Sequence, residues 1–565
     1  MKKLIIIPLL LLSMTLGATK YYVSPSPTGN NGNDGSISSP WATPSYACSQ
    51  ATTPGDTVYL NAGTFNESAQ IVKALGVHIH GTGDASHIIS TYTNASATQA
   101  AIQCASSSGT TTYDGGSISY IRITGSNLTA YRGIQVSYRS HVAIDHVTVE
   151  DFLHCGIWLS ASSSFGSPYD VGNSITNCTI NNSSSRTADR YPACIRITGQ
   201  DSCNILNNVS DMTERAAGSN GNTIEFQRCK HTKIDGNTFY RTDHELNYWN
   251  FFFEGWDYGG DFEYTNNTHY GLAKVSFGGE YNRQEADCSF GFEAIGNKFY
   301  NPTVGYRTVG GYNATLFCIN VEGDGHINGT VERNYIQNYG VGIELSTPES
   351  GVGYWHHYWD WDNITVAYNI IDGVGYQDHA YAYGIWWLNE SNLYPYYGVF
   401  SNVTIANNTI RAHDGATYDG YQGIGIYAND TVNNLRLSNN ITTGFSSYGI
   451  YISEHSTDTL VVAGLDATYN CMNDNGTNTV YVESAAGRIT ISDSDVATGN
   501  ITTAPAFKST ATYRLTPSSP CVDAGIDVNI DYDYYGHRVP QNGTPDIGAC
   551  EVGNYVLFYN GKQLY

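Results

Sequence analysis

Four glutamates stand beside apolar strand residues, each a short distance before a recurring asparagine. Glu225 lies between Ile224 and Phe226, 12 residues before Asn237, and Glu322 follows Val321, 12 residues before Asn334. Glu254 precedes Asn267 by 13 and Glu280 precedes Asn297 by 17. On stacked strands, outward carboxyls one or two spacings apart would be roughly 5 to 10 Å from each other. That range covers both geometries of glycoside hydrolysis, in which one carboxyl is the acid and the other the base or nucleophile. The same oxygens suit a Ca²⁺ site, although the sequence fixes no cofactor. The plainer reading of each is an outward Glu on a solvated face. Arg283 and His326 join the four as candidate catalytic residues, and Asp324, Asp243, His244 and the His356-His357 pair follow them.

Aromatic residues crowd the same stretch. Seven of the nine Trp fall between 240 and 402, and Trp249, Trp256, Trp355, Trp359, Trp386 and Trp387 are the candidate substrate-binding residues. A ring face beside carboxylates holds the C–H face of a sugar, and equally packs a loop onto a scaffold. Insertions at 240–262, 346–363 and 388–402 lengthen the chain here, and loops on a rigid frame are where sites are built.

The frame is a repeat. Asn208, Asn237, Asn267, Asn297, Asn334, Asn369, Asn408 and Asn440 follow one another in steps of 29, 30, 30, 37, 35, 39 and 32. A period of this size marks a solenoid. Between these sites runs a second phrase, Gly-apolar-x-apolar, at Gly133-Ile-Gln-Val136, Gly156-Ile-Trp-Leu159, Gly342-Ile-Glu-Leu345, Gly384-Ile-Trp-Trp387, Gly423-Ile-Gly-Ile426 and Gly449-Ile-Tyr-Ile452. Alternation of this kind turns two side chains inward and one outward. The unit holds strands and no convincing helix, so it predicts one coil of a parallel β-helix, an all-β fold. Gly and Asn suit corners with left-handed backbone, and stacked Asn side chains can form a hydrogen-bonded ladder. The expected core includes Ile157, Leu159, Ile224, Phe226, Ile343, Leu345, Ile385, Ile424 and Ile450.

Composition agrees. Of 565 residues only 14% are charged, below the roughly 25% of typical domains. The net charge of −24 argues against nucleic acid and sits awkwardly with a polyanionic substrate. Polysaccharide or glycan is the expected partner. Met1 to Ala18 reads as a secretory leader, with Lys2 and Lys3 before an apolar run and Leu16-Gly17-Ala18 at its end. No later run reaches the length of a membrane span, so a secreted or cell-surface location is expected. Twelve cysteines include no C-x-x-C pair. Cys194 with Cys203, and Cys521 with Cys550, are candidate disulfides, while 155, 178, 229 and 318 read as small buried residues.

Two stretches carry a resemblance. Tyr21-Tyr-Val-Ser24, Gly29 to Gly35, Pro40-Trp41-Ala-Thr43, Pro54-Gly-Asp-Thr-Val-Tyr-Leu60 and Gly63-Thr-Phe65 resemble the opening of secreted right-handed β-helix proteins of the pectate-lyase-like superfamily. There, Pro44 to Ala51 would be a helix capping the first coil. Leu515 to Gly525, Tyr535-Gly-His-Arg538 and Asp546-Ile-Gly-Ala-Cys550-Glu551 resemble the segment closing many exported bacterial β-helices. The resemblance implies the fold and its right hand, and leaves activity open among lyases, hydrolases, epimerases and inert members. The paired Asp and Gly-His-Gly of polygalacturonase-like members are missing, and Gly325-His326-Ile327 keeps only part of them. The Lys and Arg spacing of alginate-lyase-like members is also missing, with Lys274 and Arg283 a loose substitute.

The expected layout is a leader at 1–18, a cap and opening at 19–70, a parallel β-helix at 71–505, a closing segment at 506–552 and a tail at 553–565. Two functions fit: an exported enzyme cleaving a polysaccharide by hydrolysis or β-elimination, or a non-catalytic surface or matrix protein that binds glycan or forms a rigid rod.

Overall fold

A computed structural model of the chain describes residues 17–92, 100–126, 130–162, 167–183, 193–213, 222–241, 253–256, 261–271, 275–280, 290–301, 308–309, 312–313, 317–323, 326–347, 361–375, 382–389, 399–413, 421–428, 431–454, 460–483, 489–492, 494–541, 543–553, 557–559 and 562–564. Residues 1–16 of the expected leader lie outside them. Among the described residues no helix is long and apolar enough to cross a membrane.

The chain winds into a parallel β-helix. A typical coil has three strands, as in Ala193–Asp201, Asn204–Leu206 and Val209–Asp211, and the next coil repeats them at Asn222–Lys230, Thr232–Asp235 and Thr238–Arg241. Each strand pairs in parallel with its counterpart one coil on. The first strands of the coils form a 15-stranded sheet, and the second and third form a 28-stranded one. Described strands of the stack run from Lys20–Val23 to Ile489–Ser492.

The interior is one apolar column after another. In the 15-stranded sheet Cα register aligns Ile134, Ile157, Ile195 and Ile224, and later Val275, Ile319, Ile343, Ile385, Ile424 and Ile450. All nine residues expected in the core are buried there. The middle coils fill with rings: His269 is stacked between Phe239 and Phe299 at 4.9 and 4.6 Å, 2.7 Å from the Tyr264 hydroxyl. Burial holds its imidazole well below the usual histidine range.

The asparagines form the ladder. Asn334 Oδ1 accepts from the backbone N–H and the Nδ2 of Asn297, at 3.0 and 2.9 Å. Asn334 Nδ2 donates to Asn369 Oδ1 at 2.9 Å and to the Ala294 carbonyl at 2.8 Å. The pattern continues through Asn440 to Asn470 and Asn500. The left-handed residue is the one before each rung, not the rung itself. Asn207, Gly236, Asn266, Gly296, Asn407, Asn439 and Gly499 hold φ of 53 to 70°, and Arg333, Tyr368 and Tyr469 take the same place at 53 to 56°. Asn334→Ala is expected to strip two buried donors of Asn297 of their acceptor, costing about 3 kcal/mol, each orphaned group being worth about 1 to 3. Thermal melting would register this, and an unchanged midpoint would deny the ladder its weight.

Both ends follow from local chemistry. Pro44–Gln50 is a helix with Thr43 as N-cap and buried Pro44, Ala47 and Cys48. The C-terminal segment lies along the outer side of the last coils. Leu515, Cys521 and Ile547 pack on Ile441 and Cys471, while Tyr513, Ala549 and Cys550 pack on Ile370. Gly548, at φ +106°, passes so close that a Cβ would meet Ile441 at 2.5 Å. Asp546, Asp533 and Glu551 spend their carboxylates on backbone N–H groups of the segment itself. The motif is therefore explained by its own turns. All eleven described cysteines are buried free thiols, so neither expected disulfide is formed, and Cys521 packs beside Cys471 while Cys550 packs in a separate cluster. Cys288 lies outside the described residues.

Candidate active site

In Ile195-Arg196-Ile197 and Ile224-Glu225-Phe226 the flanking residues enter the core, so the middle residue faces out. Cα register then lines up Gln103, Gln135, Trp158, Arg196 and Glu225 on five successive coils. Phe226 pairs with Gly255, which sets Glu254 opposite Glu225 on the following coil. The column goes on through Ser276, Asn320, Glu344, Trp386, Gly425, Tyr451 and Tyr481.

The described centre of this column is a charged, aromatic cluster. Arg196 Nη2 is 3.2 Å from Glu225 Oε1. The Arg196 guanidinium lies 4.9 Å from the centre of the Trp158 ring, and that of Arg132 lies 3.9 Å from it. Cation–π attraction thus ties both arginines to one ring. Trp158 Nε1 donates to Thr198 Oγ1 at 3.2 Å, and Arg132 Nη1 to Gln135 Oε1 at 3.0 Å. His154 stacks on Tyr131 at 4.8 Å. Burial pushes the neighbouring Cys155 thiol up to about 11, against the pull of Arg132 and Arg196, so it is not a ready nucleophile.

Glu225 is only 4% exposed, and Arg132 and Gln135 are buried too. Charges are buried on the outer face of a sheet at a cost, and only when paired. The plainer reading, an outward Glu on a solvated face, therefore fails for Glu225.

The other expected residues divide by position. Glu254, Glu280 and Glu322 all lie in the 15-stranded sheet, with Glu280 opposite Trp256 and Glu322 opposite Gly278 and Ser346. Glu322 is thus two residues further along its strand than the Glu225 column. His326 starts a strand of the other sheet, opposite Phe290. The side chains of Glu254, Glu280, Glu322, His326 and Trp256 lie outside what is described, as do Arg283, Lys274, Trp249, Trp355, Trp359, Asp243, His244, Asp324, His356 and His357 altogether. Trp387 is corrected: it occupies the inner column between Leu345 and Ile426, 1% exposed, against Phe400. Trp386 faces out but is closed in, 7% exposed, stacked on Tyr383 at 4.9 Å and Phe317 at 6.1 Å. Neither offers a free ring face to a sugar.

Arg132, Trp158, Arg196 and Glu344 were not anticipated. Part of the signal was present: Trp158 and Glu344 are the x of the repeated Gly-apolar-x-apolar phrase, Arg132 stands just before one, and Arg196 is the middle residue of Ile195-Arg-Ile197. Among the described residues no group of three or more His, Cys, Asp or Glu could hold a metal ion.

No family model and no curated protein matches the chain. Solved structures do. The catalytic unit of a thermostable GH87 alpha-1,3-glucanase from Streptomyces thermodiastaticus aligns over 73% of this chain at 13% identity and a TM-score of 0.41, the chain spanning 63% of its length. An alginate lyase from Paenibacillus sp. aligns over 54% of this chain and 92% of its own, at 17% identity and 0.31. PfbA, a surface adhesin of Streptococcus pneumoniae, aligns over 78% and 88%, at 12% and 0.41. At such identities, what this chain does must come from its own residues.

Proposed function

We propose that this β-helix is an exported protein that binds a polysaccharide along the outer face of its 15-stranded sheet and hydrolyses it there. The observation carrying this is the Arg132–Trp158–Arg196–Glu225 cluster, a polar and aromatic centre on a face where an ordinary strand would carry solvated residues. Glu225 and Glu254 fall on adjacent coils of one column, about 4.8 Å apart along the stack. Strands at that spacing would allow the roughly 5 to 5.5 Å between carboxyls of retaining glycosidases. The ion pair with Arg196 suits Glu225 to the ionised role of nucleophile, which leaves Glu254 as the acid that protonates the leaving oxygen. Environments that separate two carboxyls in this way assign their parts. A net charge of −24 disfavours uronate polymers and therefore β-elimination.

The test is a digest of a panel of neutral and uronate polysaccharides, read by new reducing ends and by absorbance of unsaturated uronates. New reducing ends without unsaturated uronates are expected. A second reading has its own support, since Glu225 and Arg196 already engage each other inside the protein. Binding without any cleavage would move the chain to that reading, a glycan-binding surface protein or rod.

A further inference from the structure

The same outer face changes character toward the C-terminal end of the sheet. In the last three strands, Gln422–Ala428, Tyr448–Glu454 and Thr477–Glu483, the outward face gathers tyrosines, at Tyr427, Tyr451 and Tyr481. Tyr448 stacks on Tyr481 at 4.7 Å and lies tilted against Tyr451 at 4.9 Å, and Tyr451 meets Tyr427 at 5.3 Å. Gln422 Nε2 donates to the Tyr427 hydroxyl at 2.8 Å, and the Tyr451 hydroxyl donates to Glu483. These bonds hold the rings in place before any ligand arrives. Tyr421 and Tyr481 remain 49% and 39% exposed. Among the described residues Tyr481 lies on the terminal strand of the sheet, and no further described strand of that sheet stacks over its ring.

We propose that Tyr421, Tyr448 and Tyr481 form a sugar-stacking platform for a neutral polysaccharide, remote from the Glu225 cluster. Ring faces give apolar area to sugar C–H groups, and hydroxyls with Glu483 give the polar edge that sugar hydroxyls require. The exposed Glu483 repels a polyanion and leaves a neutral chain as the fitting occupant. The platform lies six to eight coils beyond Glu225 on the same sheet, about 30 to 40 Å away along the stack. A long chain on this face would reach both, and a short oligosaccharide would reach one. The placement rests on the polysaccharide reading above, but its binding step stands apart from cleavage.

The experiment uses the full chain carrying Glu225→Gln, so that polymer is not consumed, and compares it with the same chain carrying Tyr421→Ala and Tyr481→Ala. Affinity electrophoresis in soluble glucans, mannans and xylans, with a uronate polymer as control, reads binding. Removing the two rings should weaken binding of a neutral polymer about tenfold. Tyr481→Phe should retain it. In the chain with Glu225 intact, the two alanines should raise KM on polymer and leave cleavage of a trisaccharide unchanged. Equal binding by the tyrosine variants, binding confined to the uronate polymer, or no binding to any polymer would each overturn the platform. Tyrosine-dependent binding by a chain that cleaves nothing would uphold the platform and overturn the hydrolase reading alone.

Discussion

Ile343→Asp is expected to destabilise the middle of the stack by several kcal/mol. Ile343 is fully buried, with Ile319 below it and Ile385 above it in the inner column. Losing the side chain alone would cost about 2 to 5 kcal/mol in a core of this kind. The carboxylate adds a buried charge with no cation near it in the column. A solenoid couples each coil only to its neighbours, so the damage should begin there and spread outward. Melting should broaden or split as well as fall, because two-state behaviour weakens in a long repeat array. Thr404→Asp, at an outward, half-exposed position beside Ile405, is the control and should move the midpoint little. An unshifted melt for Ile343→Asp would show that the assigned inner column is wrong.

The fold was legible because two independent signals repeat together. The asparagine period gave the coil, and its rungs proved to be the ladder itself, extended at one end by Asn470 and Asn500. At the other end Cys178 takes the rung position, its backbone N–H bonding Asn208 Oδ1 at 2.9 Å. The corner rule was legible only in part. Asn and Gly were expected to bear the left-handed backbone, yet Arg333, Tyr368 and Tyr469 bear it in three coils. Neighbouring coils over-determine the corner there, and tertiary context overrides residue preference.

The site was less legible for a reason of parity. Outward residues were judged one at a time, as single Glu or Trp, and not down the column. Read down the column, the x of Gly-apolar-x-apolar gives Gln135, Trp158, Glu344, Trp386, Gly425 and Tyr451 on one line. The same rule would have placed Trp387 inside from the start, since it is the second apolar position of its phrase. Period 2 makes a shift of one residue exchange core for surface. The partners that bury an outward Glu are long-range, and no spacing reveals that Arg196 awaits Glu225 across a coil.

Glu225→Gln is expected to lower turnover by at least about 100-fold on whichever polysaccharide the panel identifies, the range for removing a positioned acid–base group. The substitution keeps size and removes charge, but it also takes away the carboxylate that faces the largely enclosed Arg196 guanidinium. Breaking one side of a buried pair costs about 3 to 5 kcal/mol, so a lower melting point alone would not reveal a catalytic role. The double variant Arg196→Met with Glu225→Gln separates the two. Removing both charges is often close to neutral for stability, so the double variant should melt near wild type. Its turnover should remain as low as that of Glu225→Gln. Recovery of turnover together with stability would make the pair structural only. Glu254→Gln should match Glu225→Gln in kcat and shift the pH profile of what activity remains, as expected when one of two coupled carboxyls is removed. Should Glu225→Gln, Glu254→Gln, Glu280→Gln and Glu322→Gln all retain wild-type turnover on a substrate that is cleaved, the carboxylate pair is excluded. Lys274 and Arg283 acting by β-elimination would then be the groups to replace next.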